Sequence, residues 1–326
     1  MTRVGVTGIG SIGARHARVF ATLPGVEVVV HDAVATADEI RSRVGDDVTI
    51  AADLDDLLHR APDGLVVATP DEYHLDALVA ARAAGVAVLV EKPLAADLAA
   101  ARRVVDSLVA RGADGMVLVG YVLHHYACMR RAHELLRAGA IGTPVSFHVE
   151  LGAYETLALA RNRFADDVTD RLFVDYSHEW DYLRWLLGPI SGGLARAHQA
   201  GDRPLTQRPN VVDAVLELAD GVTGLVHLDY VQEPARRAFE VVGDQGRLAV
   251  DVVAGQVQVT GHDGEVRTTD CSAPRDAAFT AQARHFLAVA AGGERPSVTL
   301  TDALAALEVA AGLTESARTG HWVAIG

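Results

Sequence analysis

Five short, valine-rich segments alternate with helical patterns through the first 120 residues of the chain. The segments cover residues 4–7, 26–31, 65–68, 86–90 and 116–119. Each is nearly continuously apolar, which is typical of a parallel strand covered by helices on both faces. Helix formers at helical spacing lie between them, with Gly85 and Gly112 where helices should end. The sequence therefore predicts a doubly wound parallel α/β sheet over residues 1–121.

A glycine-rich turn joins the first segment to the first helix. In such a turn the glycines allow a sharp bend, a close approach of pyrophosphate to the backbone, and tight packing of helix on strand. The helix N-terminus then offers unpaired N–H groups to the phosphates. An ordinary strand-to-helix turn is the alternative for the pattern alone. We predict a Rossmann domain that binds a dinucleotide through the G-x-G-x-x-G residues Gly8, Ile9, Gly10, Ser11, Ile12 and Gly13.

Asp32 ends the second segment, 19 residues after Gly13. A carboxylate at this place can accept hydrogen bonds from both ribose hydroxyls and repels a 2′-phosphate. NAD is therefore the predicted cofactor, and NADP is less favoured. Two alternatives stay open: Asp32 begins a turn and nothing more, or the adjacent His31 softens the exclusion of NADP.

The pattern changes after residue 121. From residue 211 onward, alternating strands separated by turn pairs such as Asp220-Gly221 and Asp263-Gly264 predict an antiparallel meander. Helical segments flank it at residues 126–138, 176–187, 277–291 and 301–318. We predict an α+β domain over residues 122–326, built on a large open, mostly antiparallel sheet. One face of such a sheet needs a cover, so we expect a homodimer or homotetramer, and a cleft between the two domains.

Charge and cysteine content narrow the partners. The 326 residues carry a net charge of −14, which disfavours binding to nucleic acid or to anionic membranes. Two cysteines without a Cys-x-x-Cys pair predict neither a disulfide framework nor a zinc site. No apolar run is long enough to span a bilayer. We expect a soluble cytoplasmic protein with a small-molecule substrate.

Two motifs follow neighbouring strands of the predicted sheet. Thr69, Pro70 and His74 come after the third segment, and Glu91-Lys92-Pro93 after the fourth. Open α/β sheets bind ligands at the carboxyl edge of their strands, so Lys92 is predicted to present its ammonium group beside a nicotinamide. A solvated surface lysine is the alternative. We predict that Thr69, Pro70, His74 and Glu91 contact the cofactor.

A histidine lies between carboxylates in the second domain, in Asp175-Tyr176-Ser177-His178-Glu179-Trp180-Asp181. On one helix, spacings of three would put Asp175, His178 and Asp181 on the same face. Flanking carboxylates stabilise imidazolium, so His178 is a candidate general base. A core histidine at a helix start is the alternative. The cluster of His124, His125 and His133 lacks the spacing of a metal site, and we predict none.

Taken together, these motifs resemble the Gfo/Idh/MocA family, the glucose-fructose oxidoreductase and inositol dehydrogenase group. The resemblance rests on the glycine turn, on residues 68–74, on Glu91-Lys92-Pro93, on Gly120-Tyr121 and on residues 175–181, and it extends to residues 137–144 and 228–246. It implies NAD(P)-dependent oxidation of a secondary alcohol on a sugar, cyclitol or nucleotide-sugar-like substrate. It also implies that Lys92 polarises the substrate oxygen and that His178 is the general base. Asp175 is carried over as its carboxylate partner, three residues before it, where several members have four.

Two departures from the family pattern concern the substrate pocket. His124-His125 stands where members often have Arg-Phe, and Asp170-Arg171-Leu172-Phe173 replaces a glycine-rich stretch. We predict that Tyr121, His124 and Asp181 line this pocket, and that Arg161, Arg163 and Arg171 offer it a basic rim. Two other functions stay open: a non-catalytic NAD-binding sensor or regulator, and an NAD-retaining lyase or glycosidase that uses transient oxidation.

Overall fold

The computed structural model describes residues 1–154, 171–201, 209–274 and 276–326. Within them the chain forms two compact units. The first comprises Met1–His125 and Arg275–Leu304, and the second comprises Tyr126–Pro274 and Ala305–Gly326. Over the described ranges, no helix has the length and apolar character that a membrane crossing requires.

Six parallel strands form the sheet of the first unit. They are β1 (Thr2–Thr7), β2 (Val26–His31), β3 (Thr49–Ile50), β4 (Gly64–Val67), β5 (Ala87–Val90) and β6 (Val117–Val119). Their spatial order is β3-β2-β1-β4-β5-β6, so the order reverses between β1 and β4. This topology confirms the predicted doubly wound sheet, and it places the carboxyl ends of β1, β2, β4 and β5 along one edge.

Five helices connect these strands: α1 (Ser11–Ala21), α2 (Ala37–Val44), α3 (Leu54–His59), α4 (His74–Ala83) and α5 (Leu98–Ala110). Side chains cap three of them. Thr36 forms a capping box with Glu39 at the start of α2, and Asp53 and Asp97 accept backbone N–H bonds at the starts of α3 and α5. Gly85 and Gly112 adopt positive φ of 78° and 68° just after α4 and α5, as predicted for helix ends.

Nine strands form the sheet of the second unit, in the order β14-β13-β12-β11-β7-β10-β9-β8-β15. They are β7 (Pro144–Gly152), β8 (Ile190–His198), β9 (Val211–Leu218), β10 (Thr223–Asp229), β11 (Arg236–Gly243), β12 (Gly246–Asp251), β13 (Gln256–Gly261), β14 (Val266–Asp270) and β15 (Val323–Ala324). Among the strands that the structure describes in this sheet, β7 and β10 pair in parallel and the other pairs are antiparallel. The predicted large, mostly antiparallel sheet is confirmed.

The predicted continuous meander is wrong in one place, because β7 lies between β10 and β11. Gly224 on β10 gives a local reason. A Cβ there would overlap the ring of Phe147 on β7, so the glycine makes room for a large side chain on the neighbouring strand. Side chains on one face of these strands form the core, including Val149, Leu228 and Phe239.

Three helices of the second unit are described: α6 (Ala127–Arg137), α7 (Leu172–Asp175) and α8 (Ser177–Leu187). The ring of Tyr182 on α8 lies 5.3 Å from that of Phe239 on β11, so α8 packs on the inner face of the sheet. The outer face carries exposed apolar side chains, with Leu225 of β10 55% and Val215 of β9 37% exposed.

Two long helices end the chain, α9 (Ala277–Ala290) and α10 (Leu300–Thr319). Although α9 follows β14 of the second sheet in sequence, it clusters with the first unit. Phe286 packs on Phe20 of α1 with ring centroids 6.2 Å apart, and a Cβ at Gly64 would meet the same ring. The predicted boundary at residue 121 therefore differs from the compact units, because apolar packing returns this helix to the first sheet.

Candidate active site

Glycines shape the turn between β1 and α1. Gly8 has a φ of +85°. A Cβ at this position would come within 2.6 Å of the carbonyl oxygen of Ala68 and within 2.5 Å of the backbone nitrogen of Thr69. A Cβ at Gly13 would overlap the carbonyl oxygen of Gly8. Nothing lies within 4 Å of a Cβ built at Gly10, so the space above this residue is open. The turn thus forms a cradle in which a ligand group can approach the backbone closely.

The helix that follows this cradle begins without a side-chain cap. Gly10 is the N-cap residue of α1, and no side chain accepts a hydrogen bond from the first turn. The first backbone N–H groups of a helix have no intrahelical acceptor and carry a partial positive charge. An exposed Gly10 and Ser11 at this end fit the pyrophosphate of a dinucleotide.

Asp32 lies at the carboxyl end of β2, where backbone amides hold its carboxylate. Oδ2 accepts the N–H of Ile9 at 2.6 Å, and Oδ1 accepts those of Val34 and Ala35 at 2.9 and 2.8 Å. Burial opposes ionisation, but these bonds and the charge of Arg43 outweigh it and hold the pKa of Asp32 below its usual value. The group is an anion at neutral pH, as discrimination against a 2′-phosphate requires.

His31 does not soften that discrimination. Burial lowers the pKa of His31 below 6.5, although Asp32 and Asp53 act in the opposite direction. Its Nδ1 lies 3.0 Å from the hydroxyl of Thr7. The ring is therefore neutral near pH 7 and supplies no cation for a phosphate.

Thr69, Pro70 and His74 follow β4, but the ring of His74 points away from solvent. His74 is 2% exposed, and its Nδ1 and Nε2 lie 2.9 and 2.8 Å from the carbonyl oxygens of Pro93 and Thr69. Both nitrogens are thus engaged by backbone. This geometry ties the loop after β4 to the loop after β5, and it favours a scaffolding role over a direct cofactor contact.

Lys92 is the only lysine of the chain; every other residue among the 29 Lys and Arg is arginine. It follows β5 at the carboxyl edge, and it is partly exposed. Lysine carries a compact charge on a flexible stem, whereas arginine offers a planar fork. Lys92 is therefore the only side chain of the sequence that carries an ammonium group.

The Glu91 side chain turns inward beneath Lys92. Its Oε1 lies 2.8 Å from Nε2 of His16, and its Oε2 accepts the backbone N–H of Lys92 at 3.2 Å. Burial raises the pKa of the Glu91 carboxyl most strongly, but the hydrogen bond and charge of His16 and the charge of Lys92 outweigh it and leave the pKa lowered. A Cβ at Gly120 would lie 2.9 Å from the same carboxyl group. Glu91 is an internal contact of the lysine loop.

Tyr121 and His124, the predicted substrate residues of the first unit, lie just after β6. Both are buried, with Tyr121 1% and His124 7% exposed. His124 belongs to a 3-10 turn, Val122–His125. The ring of the adjacent His125 lies 5.4 Å from that of His285 on α9.

In the second unit, Asp175 does not share a helix with His178 and Asp181, so the condition for a common helical face is not met. Tyr176, with φ −94° and ψ 29°, separates α7, which ends at Asp175, from α8, which begins at Ser177. His178 and Asp181 do share α8, and Asp181 is 3% exposed. A helix break therefore changes the direction in which Asp175 projects.

The Asp175 carboxylate is held by two side chains. Oδ1 lies 3.2 Å from the guanidinium of Arg171, and Oδ2 accepts the hydroxyl of Tyr230 at 2.9 Å. Tyr176 donates its hydroxyl to the backbone of Asp229 at 3.1 Å. Arg171, predicted to join a basic rim, is thus partnered with Asp175, while Arg161 and Arg163 lie outside the described residues.

A buried ion pair anchors the first turn of α8. Glu179, which is 0% exposed, takes a two-pronged contact from Arg237 of β11 at 2.8 and 2.9 Å. The next residue, Trp180, donates its indole N–H to the carbonyl of Phe173 at 2.7 Å. These bonds fix the segment that carries His178.

Local signals could have identified only some of these contacts. His16 is three residues after Gly13, so helical phase places it on the inward face of α1. Arg237 and Tyr230 lie more than fifty residues from their partners, and no spacing links them to Glu179 and Asp175. Within the described parts of the chain, no group of three His, Cys, Asp or Glu residues is arranged to hold a metal ion.

Comparisons with known proteins match both halves of the chain to family models. Residues 2–121 match the model described as "Oxidoreductase family, NAD-binding Rossmann fold", and residues 129–249 match the GFO/IDH/MocA C-terminal domain. Inositol 2-dehydrogenase 1 of Saccharopolyspora erythraea is 33% identical over 322 residues, covering 94% of this chain and 91% of that protein. The NAD⁺-dependent scyllo-inositol 2-dehydrogenase of Bacillus subtilis is 25% identical over 334 residues, covering 98% and 94%.

A solved structure has the same fold at low identity. Levoglucosan dehydrogenase in complex with NADH superposes with a TM-score of 0.86 and 19% identity, covering 100% of this chain and 99% of that one. Both the sheet order and the two-unit division are thus those of a known architecture.

Proposed function

This chain belongs to the Gfo/Idh/MocA family of NAD-binding oxidoreductases, and from that premise we propose that it transfers a hydride between NAD and a secondary alcohol of a cyclitol or sugar. The proposal rests on one observation: the six-stranded sheet has an intact dinucleotide cradle after β1 and, at the same carboxyl edge, the only lysine of the chain. Relatives that act on inositols favour a cyclitol among the polyol substrates.

The cradle residues fit NAD. The N–H groups at the start of α1 suit the pyrophosphate, the open space at Gly10 admits it, and the ionised Asp32 suits the adenosine ribose. When bound there, NAD supplies a nicotinamide that takes up or returns a hydride. Of the predicted cofactor residues, His74 and Glu91 support the loops of this site, His74 through backbone carbonyls and Glu91 through His16 and the backbone N–H of Lys92.

Lys92 and His178 are assigned the acid–base chemistry. As hydride leaves the carbinol carbon, the hydroxyl must lose its proton, so negative charge grows on its oxygen. The Lys92 ammonium stabilises that charge, and His178 accepts the proton. Asp175, whose orientation is fixed by Arg171 and Tyr230, stabilises the imidazolium form of His178. Tyr121, His124 and Asp181 are assigned to substrate hydroxyl recognition.

The test is a substrate screen followed by two substitutions. Inositols, sugars and nucleotide sugars are offered with NAD and NADP, and nicotinamide absorbance is followed. On the best substrate, Lys92→Met should lower kcat by about 10²–10³-fold and His178→Asn by about 10²–10⁴-fold, while NADH binding measured by fluorescence survives. The exposed residues Arg295 and His262 provide matched controls, Arg295→Met and His262→Asn.

The outcomes separate the claims. Normal turnover in both variants would overturn the assigned roles of Lys92 and His178. Absence of NAD reduction with every polyol would overturn dehydrogenase activity itself. Product formation without net NADH would instead indicate the lyase or glycosidase alternative.

We also propose that the outer face of the nine-stranded sheet is covered by another copy of the chain, giving a homodimer or homotetramer. Support comes from the exposed apolar side chains Leu225 and Val215, which alternate with buried residues along β10 and β9. The expected result is a dimer or tetramer by light scattering, and a Leu225→Lys variant that dissociates. The two free cysteines, Cys128 and Cys271, are in keeping with the proposed cytoplasmic location.

A further inference from the structure

His16 lies on α1, the helix whose N-terminus forms part of the cofactor cradle. It is 0% exposed, and the ring of Phe279 packs against it with centroids 5.5 Å apart. Nothing in its position lets it reach bulk solvent. Among the described residues Nδ1 of His16 has no hydrogen-bond partner, so the bond made by Nε2 is the one that indicates the purpose of this buried ring.

The acceptor of that bond is the Glu91 carboxylate, 2.8 Å from Nε2 of His16. Carboxylate oxygens only accept, so Nε2 carries the hydrogen and donates it. The other carboxylate oxygen accepts the backbone N–H of Lys92. A continuous path of two hydrogen bonds thus joins helix α1 to the residue that carries the reactive amine.

The geometry allows Glu91 little freedom. Gly120 lies so close that a Cβ there would come within 2.9 Å of the carboxyl carbon and of Oε1. On the other side of the lysine, the carbonyl of Pro93 is 2.9 Å from the His74 ring. The loop of Glu91, Lys92 and Pro93 is therefore held from beneath at both of its ends.

We propose that His16 is a positioning residue for Lys92: by donating to Glu91 it keeps that carboxylate ionised and turned under the lysine loop, where its charge holds the Lys92 amine as an ammonium ion in a fixed place. This inference rests on the proposed role of Lys92 in catalysis. It assigns a function in the reaction to a buried histidine 76 positions earlier in the sequence.

The direction of the Glu91 pKa supports the electrostatic part. A buried carboxyl without partners would have a raised pKa, but that of Glu91 is lowered despite its burial, with His16 and Lys92 among the causes. The attraction between a carboxylate and an ammonium group favours the charged form of both groups. Removing the His16 donor therefore makes the ionised form of Glu91 less stable, and as a consequence the ammonium form of Lys92 also becomes less stable.

Because Lys92 is the only lysine, its amine can be observed alone. Protein made with side-chain ¹⁵N-lysine gives a single ammonium signal, whose pH titration reports the charge of Lys92 directly. Three variants are compared with the wild type: His16→Leu removes the donor, His16→Gln keeps an N–H donor, and Glu91→Gln removes the carboxylate. Val19→Ala, a buried truncation on the same helix, controls for general damage to packing.

In His16→Leu, we expect the Lys92 titration to move to lower pH and kcat to fall by about 10–100-fold, as for misplacement of a catalytic group. KM and NADH binding should change less. His16→Gln should recover most of kcat, and Val19→Ala should leave both the titration and kcat unchanged. The decisive comparison is His16→Leu in a Glu91→Gln background, where it should have no further effect.

Two results would overturn the inference: an unmoved Lys92 titration in His16→Leu, or an equal loss of kcat from His16→Leu with and without Glu91. If His16→Leu does not fold, His16→Met, which also lacks an N–H donor, takes its place in the same comparison with His16→Gln and Glu91→Gln. Should Lys92→Met turn over normally, the proposed catalytic role of Lys92 fails, but the titration still decides whether His16 acts on Lys92.

Discussion

Removing either member of the Glu179–Arg237 pair should destabilise the second unit. The loss in free energy of unfolding should be larger when Arg237 is removed than when Glu179 is removed. Glu179 is 0% exposed and Arg237 is 22% exposed. Arg237→Met leaves a carboxylate buried without its partner, for which a loss of about 3–5 kcal/mol is usual. Glu179→Gln leaves a guanidinium that can still reach water, and we expect a loss of about 1–2 kcal/mol. The asymmetry of about 2 kcal/mol corresponds to roughly 30-fold in the folding equilibrium.

Tryptophan fluorescence isolates the relevant unit. The chain has three tryptophans, and Trp180, Trp185 and Trp322 all belong to the second unit. Urea unfolding followed at these residues therefore reports that unit, without requiring that the whole chain unfold in a single step. The double variant Glu179→Gln with Arg237→Met removes both charges, and it should be more stable than Arg237→Met alone.

The reasoning would be refuted if Glu179→Gln were as harmful as Arg237→Met, or if the double variant were the least stable of the three. Either result would mean that the pair matters through packing of its side-chain stems and not through the charge of a carboxylate removed from water. Since His178 precedes Glu179 on the same helical turn, kcat measured on the folded fraction should fall in Arg237→Met as well.

Two other predictions concern charge. Asp32→Ser removes the anion that repels a 2′-phosphate, so the preference for NAD over NADP in kcat/KM should fall by about 10²-fold; an unchanged ratio from initial rates would place discrimination elsewhere. The pKa of His227 is raised, since Asp213 and Asp229 outweigh the opposing effect of burial. A raised pKa adds stability below pH 6.5 that is lost as the pH rises through the folded value. Urea unfolding should therefore show a larger deficit for His227→Gln at pH 6 than at pH 9, and a pH-independent deficit would contradict the charged pair.

Much of the first unit could be predicted because its constraints are local. Gly8 must adopt a positive φ, and Gly13 must let α1 approach the turn, so both demands act within six residues. Asp32 follows a strand whose end is evident from its apolar pattern. The short elements β3 and α3 were missed, since two and six residues give too little periodicity to detect.

The second unit was less predictable because its order is set by distant contacts. Nothing near residue 224 in the sequence indicates that β7, 77 residues earlier, lies beside β10. The site has the same limit. The chemical types of Lys92, His178 and Asp175 suggested their roles. However, the donors His16, Tyr230 and Arg237 lie 55 to 75 positions from Glu91, Asp175 and Glu179, to which they donate. Single-sequence spacing contains no information about such pairs.

The return of α9 to the first unit affects how the protein can be made. Neither unit is one uninterrupted stretch of chain, so a ribosome that has just finished the sixth parallel strand has not yet produced the helix against which Phe20 packs. The nucleotide-binding half must wait, with an apolar surface uncovered, until β7 to β14 of the second sheet have been synthesised. A fragment that ends at residue 121 would lack that helix. To express the first unit alone, residues 1–125 should be joined through a short linker to residues 276–304.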